Sequence, residues 1–169
     1  LDLVLDGFSL LSKEDPQVRL VLVGEGPAKK HYQEMVHEMG MEDRVVFTGF
    51  VPDDELPSTY AACDAFTIAS KFETQGLAAL EAMATGKPVA GINFRAVAEM
   101  VRPGENGYLF EEDVRSCATA MRETLEHSQE ISESTRRFAL GYSHEKSAQK
   151  LVELYEATIE RKKISLNGK

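Results

Sequence analysis

Two glutamates, Glu73 and Glu81, stand eight residues apart with Thr74-Gln75-Gly76-Leu77 between them. From Leu77 to Ala84 every residue except Glu81 is apolar. A segment apolar on nearly all sides reads as a buried helix. An unpaired carboxylate inside such a helix costs several kcal/mol, so Glu81 needs a partner or an aqueous opening. One reading is a structural ion pair with a lysine or arginine. The other starts from position. Gly76 opens the helix just after the β-rich run Asp64 to Ala69. Ligands of parallel sheets bind outside the carboxyl ends of the strands, beside helix N-termini. A carboxylate one to two turns into such a helix can accept hydrogen bonds from the vicinal hydroxyls of a ribose. Glu73, in the loop at the same strand end, would face sugar hydroxyls, and the free N–H groups at Gly76 would face phosphates. Those three groups around one crevice suit a nucleotide sugar.

The elements that must position them follow from periodicity. Leu1 to Ser12 has apolar residues at helical spacing, and Asp15-Pro16 ends it. Val18 to Val23 is a short strand, stopped by Gly24-Glu25-Gly26-Pro27. A helix over Ala28 to Met39 stops at Gly40, and a strand over Arg44 to Thr48 closes at Gly49. Asp53 to Ala62 reads as a helix with acids in its first turn and Pro57 near its start. After the strand at Asp64 and the helix from Gly76 to Thr85 come a strand over Pro88 to Ile92, a short helix over Ala96 to Val101 and a strand over Gly107 to Phe110. From Asp113 onward the pattern is wholly helical, and an amphipathic helix over Tyr142 to Lys163 ends in Arg161-Lys162-Lys163. Strand and helix alternate about five times, and the strands are continuous apolar runs. That predicts an α/β fold: a Rossmann-like, doubly wound parallel sheet with helices on both faces, in a single domain over residues 1–169. The helical start is unusual, because a doubly wound unit normally opens with a strand.

With 169 residues, 43% hydrophobic and 28% charged, the chain suits one globular domain. A net charge of −9 argues against a nucleic-acid or anionic-membrane surface spread over it. No apolar run is long enough to span a bilayer. Cys63 and Cys117 make no disulfide framework, which points to a reducing, cytoplasmic setting. His31, His37, His127 and His144 are scattered, and no His/Cys group has zinc spacing, so no metal is expected.

Glu73 to Glu81 resembles the E-x7-E motif of retaining glycosyltransferases with the GT-B fold, the glycosyl transferases group 1 type. The family's run is roughly E-G-F-G-L-x-x-L-E-A-M-A-x-G-x-P-V, and this chain has E-T-Q-G-L-A-A-L-E-A-M-A-T-G-K-P-V. LVLVGEGP, RVVFTGFVPDDELPSTYAACDAF, NGYLF and YSHEKSAQKLVELYEATIE extend the resemblance over nearly the whole chain. It implies a donor-binding domain in which Glu73 contacts the sugar and is the nearest candidate for a catalytic group. Thr74, Gln75, Gly76 and Leu77 would line sugar and diphosphate, and Glu81 would hold the ribose. Gly49, Phe50 and Val51 would border the base. Gly24 and Gly26 would let the backbone approach the donor, although a plain strand-to-helix turn explains them equally well. The donor would be a UDP- or GDP-sugar, with no cofactor. A hexosyl group would pass to an acceptor hydroxyl, as in lipid or polysaccharide precursors.

Departures from the family pattern carry their own expectations. Thr74-Gln75 replaces the usual Gly-Phe pair and is similar to a subgroup that glycosylates diacylglycerol lipids. Phe94-Arg95-Ala96 stands where the family often has a Gly-Gly turn, so Arg95 is either a phosphate contact or a surface cation. His144 takes a position often held by tryptophan, where a packing role is expected. The resemblance also implies a strand with a G-R-L-x-x-x-K-like segment before Leu1 and an N-terminal acceptor domain before that. The chain is then expected to be the donor-binding half of a longer polypeptide, inactive alone, and any membrane contact would belong to the other domain, at the inner face. Two other readings share this architecture: a nucleotide-sugar epimerase, and a non-catalytic nucleotide-binding regulatory domain. A phosphoacceptor receiver domain would need acids at strand ends, where this chain has Gly24, Gly49 and Ala69.

Overall fold

The computed structural model describes residues 1–167, and the side-chain environment of residues 1–162. The elements alternate as α1 (Asp2–Glu14), β1 (Leu20–Val23), α2 (Lys29–Glu38), β2 (Val45–Gly49), α3 (Leu56–Ala61), β3 (Phe66–Ile68) and α4 (Leu77–Ala84). They continue as β4 (Val89–Ile92), α5 (Arg95–Met100), β5 (Gly107–Phe110), α6 (Val114–Glu126), α7 (Ser132–Leu140) and α8 (His144–Asn167). Every strand pair is parallel, as the alternation requires. The strands form two sheets, β1-β2 and β3-β4-β5, so β1 and β3 each end a sheet. One hydrophobic cluster, with Leu20, Leu22 and Val45 at one end and Ile68, Val89 and Phe110 at the other, runs under both. The fold is Rossmann-like, with its parallel strands divided.

Helix α1 buries Val4, Leu5, Phe8 and Leu11 along one face, spaced by three or four residues, and lies along α6. Gly7 sets how closely the two helices approach. A Cβ there would sit 2.9 Å from Cys117 Sγ and 3.3 Å from the Ala118 backbone nitrogen. Burial pushes the Cys117 thiol up to about 12, so it is a small core group and not a reactive thiolate. Helix α6 begins where the Asp113 carboxylate accepts the Ser116 N–H at 2.9 Å. Asn106 is fully buried and satisfied: its Nδ2 donates to the Met100 carbonyl at 3.1 Å, and its Oδ1 accepts the Arg102 N–H at 2.7 Å. It fixes the turn between α5 and β5.

Outside the site, the structure differs from expectation in three places. Only β4 is buried at every residue; Val21, Val23 and Val46 leave one face of the β1-β2 sheet open. Helix α3 starts at Leu56, because Asp53 to Glu55 first form a turn in which the Glu55 N–H bonds the Pro52 carbonyl; its acids precede the helix instead of filling its first turn. In α8 every residue from His144 to Lys162 is exposed, so its apolar side chains cover nothing within this chain. The expected packing role of His144 is therefore wrong. Its side chain is 93% exposed and pairs with Glu145 at 2.9 Å. The Lys163 side chain lies outside the described residues. Among the described residues no helix is long and apolar enough to cross a membrane.

Replacing Gly7 with alanine overpacks the α1–α6 contact against backbone as well as side chain. The expected loss is about 1–3 kcal/mol of stability, read as a lower urea midpoint. An unchanged midpoint would show that the helices can separate without cost.

Candidate functional site

The site is built around the start of α4. The chain leaves β3, runs through Ala69 to Gln75 and reverses at Gly76, whose backbone is left-handed (φ 64°, ψ 41°). Gly76 is buried, and a Cβ there would meet Met100 Cε of α5 at 2.6 Å. Both conformation and space therefore select glycine. No side chain caps the helix, so its first N–H groups are left for a ligand or solvent.

Helix α4 buries Ala79, Ala82 and Met83 and packs on α7 and, more lightly, on α3. Leu77, Ala78, Glu81 and Ala84 form an open face. The expected burial of Glu81 is therefore wrong. The physical reason is composition: alanines fit an exposed helix face as readily as a buried one, so an apolar run rich in them does not establish burial. The alternative reading, an ion pair with a lysine or arginine, finds no such partner for Glu81 among the described residues. The Glu81 partner is a neutral phenol: the Tyr60 hydroxyl donates to Glu81 Oε2 at 3.0 Å. Burial first, then the hydrogen bond and charge of Glu81, push the Tyr60 phenol up to about 12, so it remains a donor at neutral pH.

Glu73 is half-buried in the loop before Gly76. Thr74, Gln75 and Leu77 line a half-open cleft of about 510 Å³ together with Glu99 and Met100 of α5, Tyr142 and His144; Glu73 and Glu81 are not in its lining. The structure brings together two of the other expected residues at the ends of β1 and β2. The Gly24 N–H donates to the Gly49 carbonyl at 2.8 Å. Glu25 folds over Gly49, where a Cβ would stand 2.5 Å from Glu25 Oε1, and Glu25 pairs with Lys29 at 2.8 Å. At Gly26 a Cβ would meet no protein atom. Phe50 is 74% exposed and Val51 half-buried. Among the described residues no hydrogen bond or ion pair joins this group to the Glu73–Glu81 group; the two stand at the ends of separate sheets.

The nearby cations are already engaged. Lys71, at the end of β3, pairs with Glu112 beyond β5, and Asn93 beyond β4 donates to Glu111, so the three strand ends are tied together. Arg95 stacks over the Phe94 ring at 5.1 Å. Among the described residues it is the non-glycine residue with positive φ, 44°, at the head of α5. Two features escaped sequence reasoning. Tyr60 lies 21 residues from Glu81, and only the packing of α3 on α4 joins them. The left-handed backbone at Arg95 had a signal, since it falls where the resembled family often has glycine.

A family model described as "Glycosyl transferases group 1" matches residues 1–140. Mannosylfructose-phosphate synthase of Agrobacterium fabrum is 40% identical over 108 residues, 57% of this chain and 24% of its own. Alpha-monoglucosyldiacylglycerol synthase of Streptococcus pneumoniae is 41% identical over 86 residues, 51% of this chain and 20% of its own. The chain thus spans a quarter or less of the length of these curated relatives. The structure of Anabaena Alr3699/HepE in complex with UDP superposes with a TM-score of 0.77 at 26% identity, covering 93% of this chain and 45% of that one.

Arg95→Gly should stabilise the chain. The left-handed penalty of about 1–2 kcal/mol is relieved, offset in part by about 0.5–1 kcal/mol for the freer unfolded glycine. A higher melting temperature is expected; a lower one would show that stacking on Phe94 outweighs the strain.

Proposed function

The chain belongs to the glycosyl transferases group 1 family, and from that premise we propose that it is the donor-binding half of a retaining glycosyltransferase with the GT-B architecture. The full polypeptide would move a hexosyl group from a nucleoside-diphosphate sugar to an acceptor hydroxyl. The observation that carries this reading is the start of α4: Glu73 before a left-handed Gly76, uncapped N–H groups after it, and Glu81 on the open face.

Each group then has a task. The N–H groups at Gly76 and Leu77, at the positive end of the helix, meet the diphosphate and stabilise it as it leaves. Glu81 accepts the ribose hydroxyls. Glu73 accepts hydroxyls of the sugar beside the reacting carbon, with Thr74 and Gln75 flanking it. Phe50, with Gly49 and Val51, borders the base, and the Gly24–Gly26 turn lies along the donor. Relatives named for products as different as mannosylfructose phosphate and a monoglucosyl diacylglycerol match this half. That supports placing acceptor choice elsewhere in the polypeptide.

The divided sheet supports a strand preceding α1. Inserted between β1 and β3, it would give the order β2-β1-new-β3-β4-β5. Numbered along the chain, that is 3-2-1-4-5-6, the order of a Rossmann sheet, whose ligands bind where the strand order reverses. The reversal falls between the inserted strand and β3, beside the loop that bears Glu73.

In the full-length enzyme, Glu81→Ala should weaken nucleotide-sugar binding by about 1.5–3 kcal/mol without unfolding the protein. Calorimetry and a thermal melt read the two effects; unchanged binding with a large loss of stability would make Glu81 structural. Glu73→Gln should lower turnover more than it lowers affinity for the free nucleoside diphosphate, which lacks the sugar. Equal losses would put Glu73 on the nucleotide. Residues 1–169 alone should transfer no sugar and bind UDP and GDP weakly, and submicromolar binding in a titration would overturn that.

A further inference from the structure

A glutamate on an open helix face is ordinarily free to sample several rotamers, and ordering it for a ligand costs conformational entropy. Glu81 is on such a face, yet its carboxylate is held. The Tyr60 hydroxyl reaches across from α3 and donates to Oε2 at 3.0 Å. The donor is itself fixed. The Tyr60 ring stands edge-on to the Phe66 ring, centroids 5.8 Å apart at 73°, and Phe66 packs on the hydrophobic cluster at the start of β3. A rigid strand thus holds the aromatic ring, which in turn holds the carboxylate.

We propose that Tyr60 is the positioning residue for Glu81, presenting its carboxylate in the orientation that receives the vicinal hydroxyls of a ribose. The inference rests on the ribose reading of Glu81. The stoichiometry fits. A carboxylate offers about four acceptor sites on its two oxygens. The phenol occupies one on Oε2, which leaves a site on Oε2 and both on Oε1 for two adjacent hydroxyls. A lysine or arginine in the same place would also orient the carboxylate, but it would neutralise the charge that strengthens hydrogen bonds from the diol. Tyr60 fixes direction and leaves the charge intact. It touches Glu81 and not the reacting atoms, so its effect is on recognition.

The test compares affinities of the full-length polypeptide for UDP and GDP with those for their deoxyribose analogues, by calorimetry. Tyr60→Phe keeps the ring on Phe66 and removes only the hydroxyl. Wild type should prefer the ribose form, and Glu81→Ala should abolish the preference. Tyr60→Phe should reduce it by about threefold to tenfold, with the deoxyribose affinities and the melting temperature nearly unchanged. In the Glu81→Ala background it should have no further effect on the preference. Two outcomes overturn the proposal while the ribose reading stands: Tyr60→Phe keeps the full preference, or it lowers ribose and deoxyribose affinities equally, as a merely structural residue would. A wild type that binds both forms equally overturns the ribose reading itself, and the proposal with it.

Discussion

The left-handed turn at Gly76 is the constraint on which the rest of the site depends. It turns the loop that follows β3 into α4 at a single residue while lying against Met100 of α5. The turn puts Glu73 before the helix and Glu81 just over one turn into it. It also leaves the first amides of α4 without a side-chain cap. A side chain at residue 76 would have to leave the left-handed region or displace Met100, and either shift would rotate the carboxylates relative to the amides. The buried face of α4, Ala79, Ala82 and Met83, then anchors that geometry on α7.

The elements were legible because strand and helix periods alternate cleanly and glycine or proline separates them. The site loop was legible for the same reason: Gly76 follows a strand and precedes a helix, where ligand amides occur in parallel folds. Burial was less legible. The α4 run reads as apolar on all sides, but Leu77, Ala78 and Ala84 are exposed together with Glu81. The spacing of apolar residues in α8 shows a face that could pack, not one that does. His144 failed for the same reason, since a position in a pattern specifies no neighbour. The Tyr60–Glu81 contact had no local signal. It arises from how α3 leans on α4, a property of the assembled sheet.

The uncovered surfaces lie in definite places. Val21, Val23 and Val46 share one face of the β1-β2 sheet, and α8 carries Leu151, Val152, Leu154, Tyr155 and Ile159 in the open. Scattered exposed apolar residues need no explanation, but grouped ones mark contact surfaces. Under the proposed architecture the first group flanks the gap between β1 and β3. A strand inserted there would join the two sheets edge to edge, in their plane, so the open face of β1-β2 is a separate surface from that gap.

Charge completes the argument. A diphosphate brings negative charge to a chain whose own net charge is −9. Lys29 is taken by Glu25, Lys71 by Glu112, and Arg95 lies on Phe94. Recruiting any of these cations breaks an existing contact, so each gives less than its full Coulombic attraction. The first amides of α4 have no side-chain cap, and a helix terminus supplies about half a unit charge. That is too little to balance a diphosphate alone. In the proposed enzyme the remainder comes from basic groups on the strand that would enter beside β3, next to those amides. Under that proposal, the strand that makes the sheet continuous would also complete the site electrostatically.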